Sequence, residues 1–419
     1  MTNDQRPPGG AGADDACLVR ADRALPGLRV LLDDDALTKT LRRHRPQVLS
    51  ARAQYLRYKP GTAMVAAVRV VTDEGERPAL AQVVSDAGRP KLSKLLTQAQ
   101  RRGTWCHLYE GVNLALADAV ADRHLPGLHR ELDKPAVQTL RYKPGRRWVG
   151  RRPGRDGEEL VKIYQDDRTD QAERGALAAR SLRATGLPGP RVLRLGRRHQ
   201  TLTFTWHAGQ TLEEQDDPDL GGVGALLAAL HQSRWPLPDE PEHDWRAHVT
   251  DGAQDLAGVV PELRAPARLT ERLVHPLAEI LDDLAPLVTS HGDFSADQVL
   301  AQPDGTLRLL DLDALTLAPR EHDLGEWIGE HLARVATSQS NPEHLAATAL
   351  NHGAAMVSGY QERAEVSIRQ HAVLGFAAIA VLRRVPEPFR SRHPDWIAAA
   401  GMRVRIAEEL TRIASGVSQ

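Results

Sequence analysis

The sequence predicts an α+β chain, with antiparallel sheets in the first half and helices in most of the second. Three observations carry this: apolar–polar alternation punctuated by Gly-rich turns as far as Thr205, a unit that occurs twice within that stretch, and longer apolar-periodic segments beyond it. At 419 residues the chain is too long for one core, so two or three domains are expected. Its 41% hydrophobic and 26% charged residues describe a globular protein. A net charge of −1 gives no general attraction to nucleic acid or an anionic membrane, and neither is expected as a partner.

Residues 1–20, rich in Pro, Gly, Asp and Ala, read as a disordered tail. They carry no basic-then-apolar leader pattern. The longest apolar run, Ala372–Leu382, is too short to cross a bilayer and reads as a buried helix. Cys17 and Cys106 make neither a disulfide framework nor a zinc site, which fits a reducing compartment. A soluble, cytoplasmic protein is expected.

The repeat organises the first half. "DRALPGL" (Asp22–Leu28) recurs as "DRHLPGL" (Asp122–Leu128), and "LRYKPG" occurs at Leu56–Gly61 and again at Leu140–Gly145. Each hexapeptide is followed by a strand pattern, a turn ("TDEGERP" or "PGRDGEE"), a third strand ("ALAQVV" or "LVKIY") and a helical segment. Each copy is thus predicted as a three-stranded meander followed by a helix. Aligning Leu80 with Leu160 sets Gln82 of the first copy opposite Lys162 of the second. Basic residues are overwhelmingly arginine, and no lysine follows Lys162, so that lysine is read as functional. The expected units are a tail (1–20), a degenerate first copy (21–130), an intact copy (131–208) and a helical lobe (209–419). Lacking the cation, the first copy reads as a structural cap or a homodimer surface.

Within the helical half lies one island, "HGDFSADQVLAQPDGTLRLLDLDALTL", in which two strands flank the hairpin turn "QPDGT". It supplies Asp293, an amide five residues later at Gln298, and Asp311 at the end of the next strand. Phosphoryl transfer needs such a set: one carboxylate facing the attacking hydroxyl, and two hard oxygen ligands that place Mg²⁺ against the phosphates. A strand lysine, Lys162, would pair the α- and β-phosphates, with Glu173 on the next helix directing it. "FTWHAG" (Phe204–Gly209) stands where a hinge would offer backbone groups to adenine, through Thr205, Trp206 and His207. Trp206 reads as an adenine-stacking ring or as core. No GxGxxG lies between the first two strands of the second copy. Gly145 with Arg146 and Arg147 is the candidate phosphate cover. His291 is expected to hold the loop, Asp313 to be a structural acid, and the Asp323/Glu326 pair to cap a helix start.

The series "HGDxxxxQ…LLDLD…HDLGEW", with "LLAALHQS" (Leu226–Ser233), resembles the aminoglycoside phosphotransferase and choline-kinase-like superfamily of small-molecule kinases. The likeness spans roughly residues 135–419. It implies a bilobal protein-kinase-like fold, ATP or GTP as donor, Mg²⁺ as cofactor and an alcohol group as acceptor. Gln298 departs from the usual asparagine, keeping the carbonyl oxygen on a side chain one methylene longer. Its Gln-Val-Leu context is similar to the maltokinase-like branch, whose members carry an extra N-terminal domain. That favours a sugar or amino sugar, in the manner of maltokinases and glucosamine kinases, with an aminoglycoside next. The acidic "PDEPEHDW" (Pro238–Trp245) is one candidate acceptor pocket. A reading of a different class is a catalytically inactive pseudokinase that binds nucleotide or sugar.

Overall fold

A computed structural model describes residues 12–165, 171–235, 245–246, 249 and 257–416. The first sheet comprises β1 (Val48–Lys59), β2 (Ala63–Thr72), β3 (Gly75–Val84), β4 (Cys106–Tyr109) and β5 (Leu114–Asp118), in the order β1-β2-β3-β5-β4. The second comprises β6 (Gln138–Lys143), β7 (Arg147–Gly154), β8 (Gly157–Tyr164), β9 (Val192–Gly196) and β10 (Thr201–Thr205), in the equivalent order β6-β7-β8-β10-β9. The duplication is therefore deeper than a three-stranded meander. The first copy also holds β4 and β5, two short strands that sequence reading did not mark.

The register repeats as well. Val65 faces Gln82 in the first sheet, as Val149 faces Lys162 in the second. The recurrent residues explain themselves. In the first copy the Asp22 carboxylate accepts from Tyr58 Oη at 2.7 Å and from the Gly61 amide at 2.8 Å. In the second, Asp122 accepts from Tyr142 Oη at 3.0 Å and the Gly145 amide at 2.7 Å. The shared Asp, Tyr and Gly thus pin the Lys-Pro-Gly turn, whose glycine has φ of +62° in one copy and +63° in the other. Asp122 thus bonds into the turn of the second copy from upstream of the expected boundary at 131.

The expected disordered tail is a helix from Ala13 to Ala21, within 1–20 as far as it is described. It has a reason to fold: Asp14 accepts from the Ile397 amide at 2.8 Å, and Asp15 from Arg392 at 3.1 Å. Arg392 is fully buried, and it also binds Asp34 at 2.5 Å and the Leu32 carbonyl at 2.6 Å. These bonds dock the first copy on the end of the helical lobe. Cys17 and Cys106 are both free thiols.

The helical lobe is centred on the helix Gln370–Arg383, buried at every position from Ala372 to Leu382 as expected. The helix Glu321–Val335 lies against it. Gly325 and Gly329 permit that approach, since a Cβ at either would meet Val373, Phe376, Ala377 or Ala380 at under 3 Å. β12 (Leu287–Ser290) pairs with β15 (Thr316–Pro319). β11 (Gln210–Thr211), β13 (Val299–Ala301) and β14 (Leu307–Leu309) form the other small sheet. Among the described residues no helix is long and apolar enough to cross a membrane.

Removing Arg392 takes the buried guanidinium away from two buried carboxylates, Asp15 and Asp34. Arg392→Ala should lose about 3–5 kcal/mol of stability, read from the midpoint of urea unfolding.

Candidate active site

The loop that begins at β12 is held by one buried carboxylate. Asp323, fully enclosed, accepts from the His291 amide at 2.6 Å and the Gly292 amide at 3.1 Å. It also accepts from His231 Nε2 and His322 Nδ1, each at 3.0 Å. Burial pushes its carboxyl up, but the two histidines outweigh that and hold it well below the usual carboxylate range. Asp323 therefore does not cap its helix. It sits in the third position, turned inward to the loop. Gly292 has φ of +81°, and a Cβ there would stand 2.0 Å from the Ala314 carbonyl oxygen, so the turn requires glycine. His291 is buried and its ring meets the Leu310 carbonyl at 2.8 Å, a tie between loop and hairpin.

The hairpin brings the predicted metal ligands together. The Leu310 amide donates to the Gln298 carbonyl at 2.8 Å, so the two strands carry Gln298 and Asp311 to one place. Asp311 lies just past β14, in a left-handed backbone with φ of +48°. Lys162 reaches across from β8 and meets Asp311 at 2.5 Å and Asp313 at 3.1 Å. Arg147 of β7 meets the same two carboxylates at 3.3 Å each. Tyr164 Oη donates to Asp313 at 2.8 Å. Burial raises the Asp311 carboxyl, but Lys162 and Arg147 more than reverse this and hold it far below its usual range. Asp313 goes the other way, raised by burial and by the charge of Asp311.

Glu173 does not direct Lys162. The helix Gln171–Ala184 buries Ala172, Gly175, Ala176 and Ala179, an i, i+3, i+4, i+7 face, and Glu173 lies off it. Half-exposed, Glu173 pairs with Arg197. The inward face passes Gly175 over Asp313, where a Cβ would lie 3.1 Å from a carboxylate oxygen. The carboxylates that steady Lys162 thus come from the hairpin of the helical lobe.

Asp293 projects half-exposed from the loop. Arg383 and Arg384 turn towards it, with Nη2 atoms 3.6 and 3.7 Å from Oδ1. Both arginines are anchored by Glu326, which is buried and accepts from Arg383 at 3.0 Å and Arg384 at 2.7 Å. Glu326 is thus a partner for arginines and not part of a helix cap. Desolvation raises the Asp293 carboxyl above its ordinary value; Arg384 and Arg383 oppose the rise and Glu326 adds to it.

A cavity of about 860 Å³ lies between the second sheet and the hairpin, and Asp293, Arg383 and Arg384 are not in its lining. Lys162, Arg147, Gln298 and Asp311 line it, with Lys143 and Phe204 from the second sheet and Gln54, Tyr55 and Arg69 from the first. The first copy therefore walls the cavity. Gly145 and Arg146 are not in its lining. Arg57 of β1 donates to the Pro144 carbonyl at 3.1 Å, and Asp122 takes the Gly145 amide, so their turn is fastened to its surroundings. Thr205 lines a separate depression, the Trp206 amide donates to the Glu158 carbonyl at 3.0 Å, and neither Trp206 nor His207 lines the main cavity. Trp206 is half-buried under the Arg151 guanidinium, 4.6 Å from its ring centre, so it is not a core residue. Of the acidic candidate pocket, the stretch Pro238–Asp244 lies outside the described residues.

Sequence reading took Arg147 for phosphate cover and missed its hold, with that of Tyr164, on the hairpin acids; it passed over Lys143 and the pairing role of Arg383 and Arg384. The repeat held a signal for the first two. The residues equivalent to Arg147, Lys162 and Tyr164 are Ala63, Gln82 and Val84, facing one another in the same register. Each of the three side chains that grip Asp313 has an uncharged counterpart in the copy without a carboxylate to grip.

No protein-family model and no curated protein sequence matches the chain. Among solved structures it is similar to a choline/ethanolamine kinase family protein from Mesorhizobium loti (17% identity, 70% of this chain and 95% of that one, TM-score 0.47). It is similar to a choline kinase from Cryptosporidium parvum (12%, 70% and 94%, TM-score 0.48). An aminoglycoside phosphotransferase from Streptomyces rimosus gives 15% identity over 61% and 96% of the chains, with a TM-score of 0.41.

Two outcomes follow from the buried carboxylates. Asp323→Ala should cost about 3–5 kcal/mol in denaturant unfolding, because the loop amides and both histidines lose their common acceptor. Burial pushes Glu326 up, but Arg383 and Arg384 bring it down from 4.5 to about 2. Its stabilisation is therefore complete above the ordinary value and is lost as pH falls towards 2. Acid titration of unfolding should show this loss in the native chain and not in Glu326→Gln.

Proposed function

We propose that the protein is an ATP- or GTP-dependent phosphotransferase that phosphorylates a hydroxyl of a small polar molecule, a sugar or amino sugar in the first instance. One observation carries the reading. Lys162, Gln298 and Asp311 line a single cavity, and Asp293, outside that lining, leaves a loop whose amides Asp323 holds. A strand cation, an amide oxygen and a carboxylate in that order, next to an uncommitted carboxylate, form the set that in-line phosphoryl transfer requires.

Asp293 would orient the acceptor hydroxyl and take its proton. Because the transition state is loose, placement and charge should matter more than the basicity of that carboxylate. Lys162 would hold the α- and β-phosphates, steadied by Asp313. Gln298 and Asp311 fit a magnesium ion by donor type: hard oxygens, one neutral and one anionic, with phosphate oxygens and water to complete the shell. Bound there, Mg²⁺ would neutralise phosphate charge. Asp311 is engaged by Lys162 and Arg147 in this structure, so Arg147 would have to move aside when nucleotide and metal enter.

The same engagement favours a second reading, in which the cation-filled site is inert and the chain only binds nucleotide or sugar. Nucleotide consumption across a panel of sugars, amino sugars and aminoglycosides, with and without Mg²⁺, separates the two. Turnover on one acceptor should depend on Mg²⁺ and fall by about 10²–10⁴ in Asp293→Ala. It should disappear in Asp311→Ala with the native fold retained, read by circular dichroism. Full activity in Asp311→Ala would remove the metal assignment.

A further inference from the structure

We infer that Arg383 and Arg384 form an oxyanion site beside Asp293, and that the oxyanion it receives is the phosphoryl group in transit. The inference rests on the phosphotransfer reading above and deepens it.

The two guanidinium groups are fixed from behind. Each gives Nη1 to the buried Glu326 carboxylate, and Arg384 Nη1 also donates to the Ala380 carbonyl at 3.0 Å. Each is then left with Nη2 directed at Asp293, at a distance longer than a hydrogen bond. A single arginine with its planar fork suffices to pair a buried glutamate. The structure supplies two, both aimed at the carboxylate proposed to meet the acceptor. Asp293 remains half-exposed, which a purely structural partner of two arginines has no reason to be.

The loop itself explains why cations must come from elsewhere. Between Asp293 and Gln298 stand Phe294, Ser295, Ala296 and Asp297, with no basic residue. Asp293 stands within charge–charge range of Asp311, Arg147 and Lys143. An oxyanion arriving there meets two carboxylates and depends on positive donors already in place. Arg383 and Arg384 are such donors, held in advance, so they need no reorganisation as charge builds on the transferred group. The charges of Arg383, Arg384, Glu326 and Asp293 cancel, and when Asp293 takes a proton the group becomes cationic.

The test uses the full chain and two nucleotides, with no acceptor. Calorimetric binding of Mg²⁺ with a non-hydrolysable ATP analogue should be weakened by about tenfold or more in Arg383→Gln/Arg384→Gln, the scale of one charge-assisted hydrogen bond. ADP binding should be unchanged. The triple variant with Glu326→Gln keeps the buried glutamate site neutral and guards against misfolding; it should show the same loss for the analogue alone. Equal weakening for both nucleotides, or none for either, overturns the inference while leaving phosphotransfer standing. A native chain that binds neither nucleotide sinks the phosphotransfer reading and this inference with it.

Discussion

A single carboxylate sets the geometry from which the site is built. Asp323 is sealed from solvent yet ionised, and its two oxygens accept from two loop amides and two imidazoles. A buried charge is tolerated only when so fully bonded, and in return it fixes whatever binds it. What it fixes is the turn through Gly292, hence the direction in which Asp293 leaves the backbone. One helical turn further on, Glu326 does the same for Arg383 and Arg384. The helix Glu321–Val335 therefore positions both the loop that carries Asp293 and the cations that face it. Its glycine face against the central helix is what brings these acids within reach.

The duplicated sheets divide their labour on one scaffold. Both keep the Asp–Tyr–Gly fastening of the Lys-Pro-Gly turn, because it stabilises the sheet whatever the sheet is for. Only the second presents Arg147, Lys162 and Tyr164 to the hairpin acids. The first, anchored by Arg392 to the far end of the helical lobe, lends Gln54, Tyr55 and Arg69 to the cavity wall. Its role is spatial: it bounds the cavity in which the second copy holds the charges.

Legibility followed the range of the interactions. The repeat and the buried helix at Ala372–Leu382 are local patterns that the structure reproduces, and Gln298 and Asp311 line one cavity while Asp293 lies outside its lining. β4 and β5 escaped notice because "CHLY" and "LALAD" are too short to show a period. Glu173 was misplaced for want of rotational phase: one step around the helix separates a residue facing Asp313 from one facing solvent. Asp323 and Glu326 have the spacing of a capping pair, and nothing within their own helix tells that their partners lie at His291 and Gly292 and at Arg383 and Arg384.

The sequence by itself determined the antiparallel duplication, the helical second half, and the residue types that converge at the hairpin. Periodicity, turn chemistry and the comparison of two copies are properties a chain carries before it folds. Only the tertiary structure decided which carboxylate meets which cation. Lys162 meets Asp311 and Asp313 across 149 and 151 residues, and Arg392 meets Asp15 across 377. Such partners are selected by packing and by the cost of leaving a buried charge alone, and neither leaves a mark in local sequence.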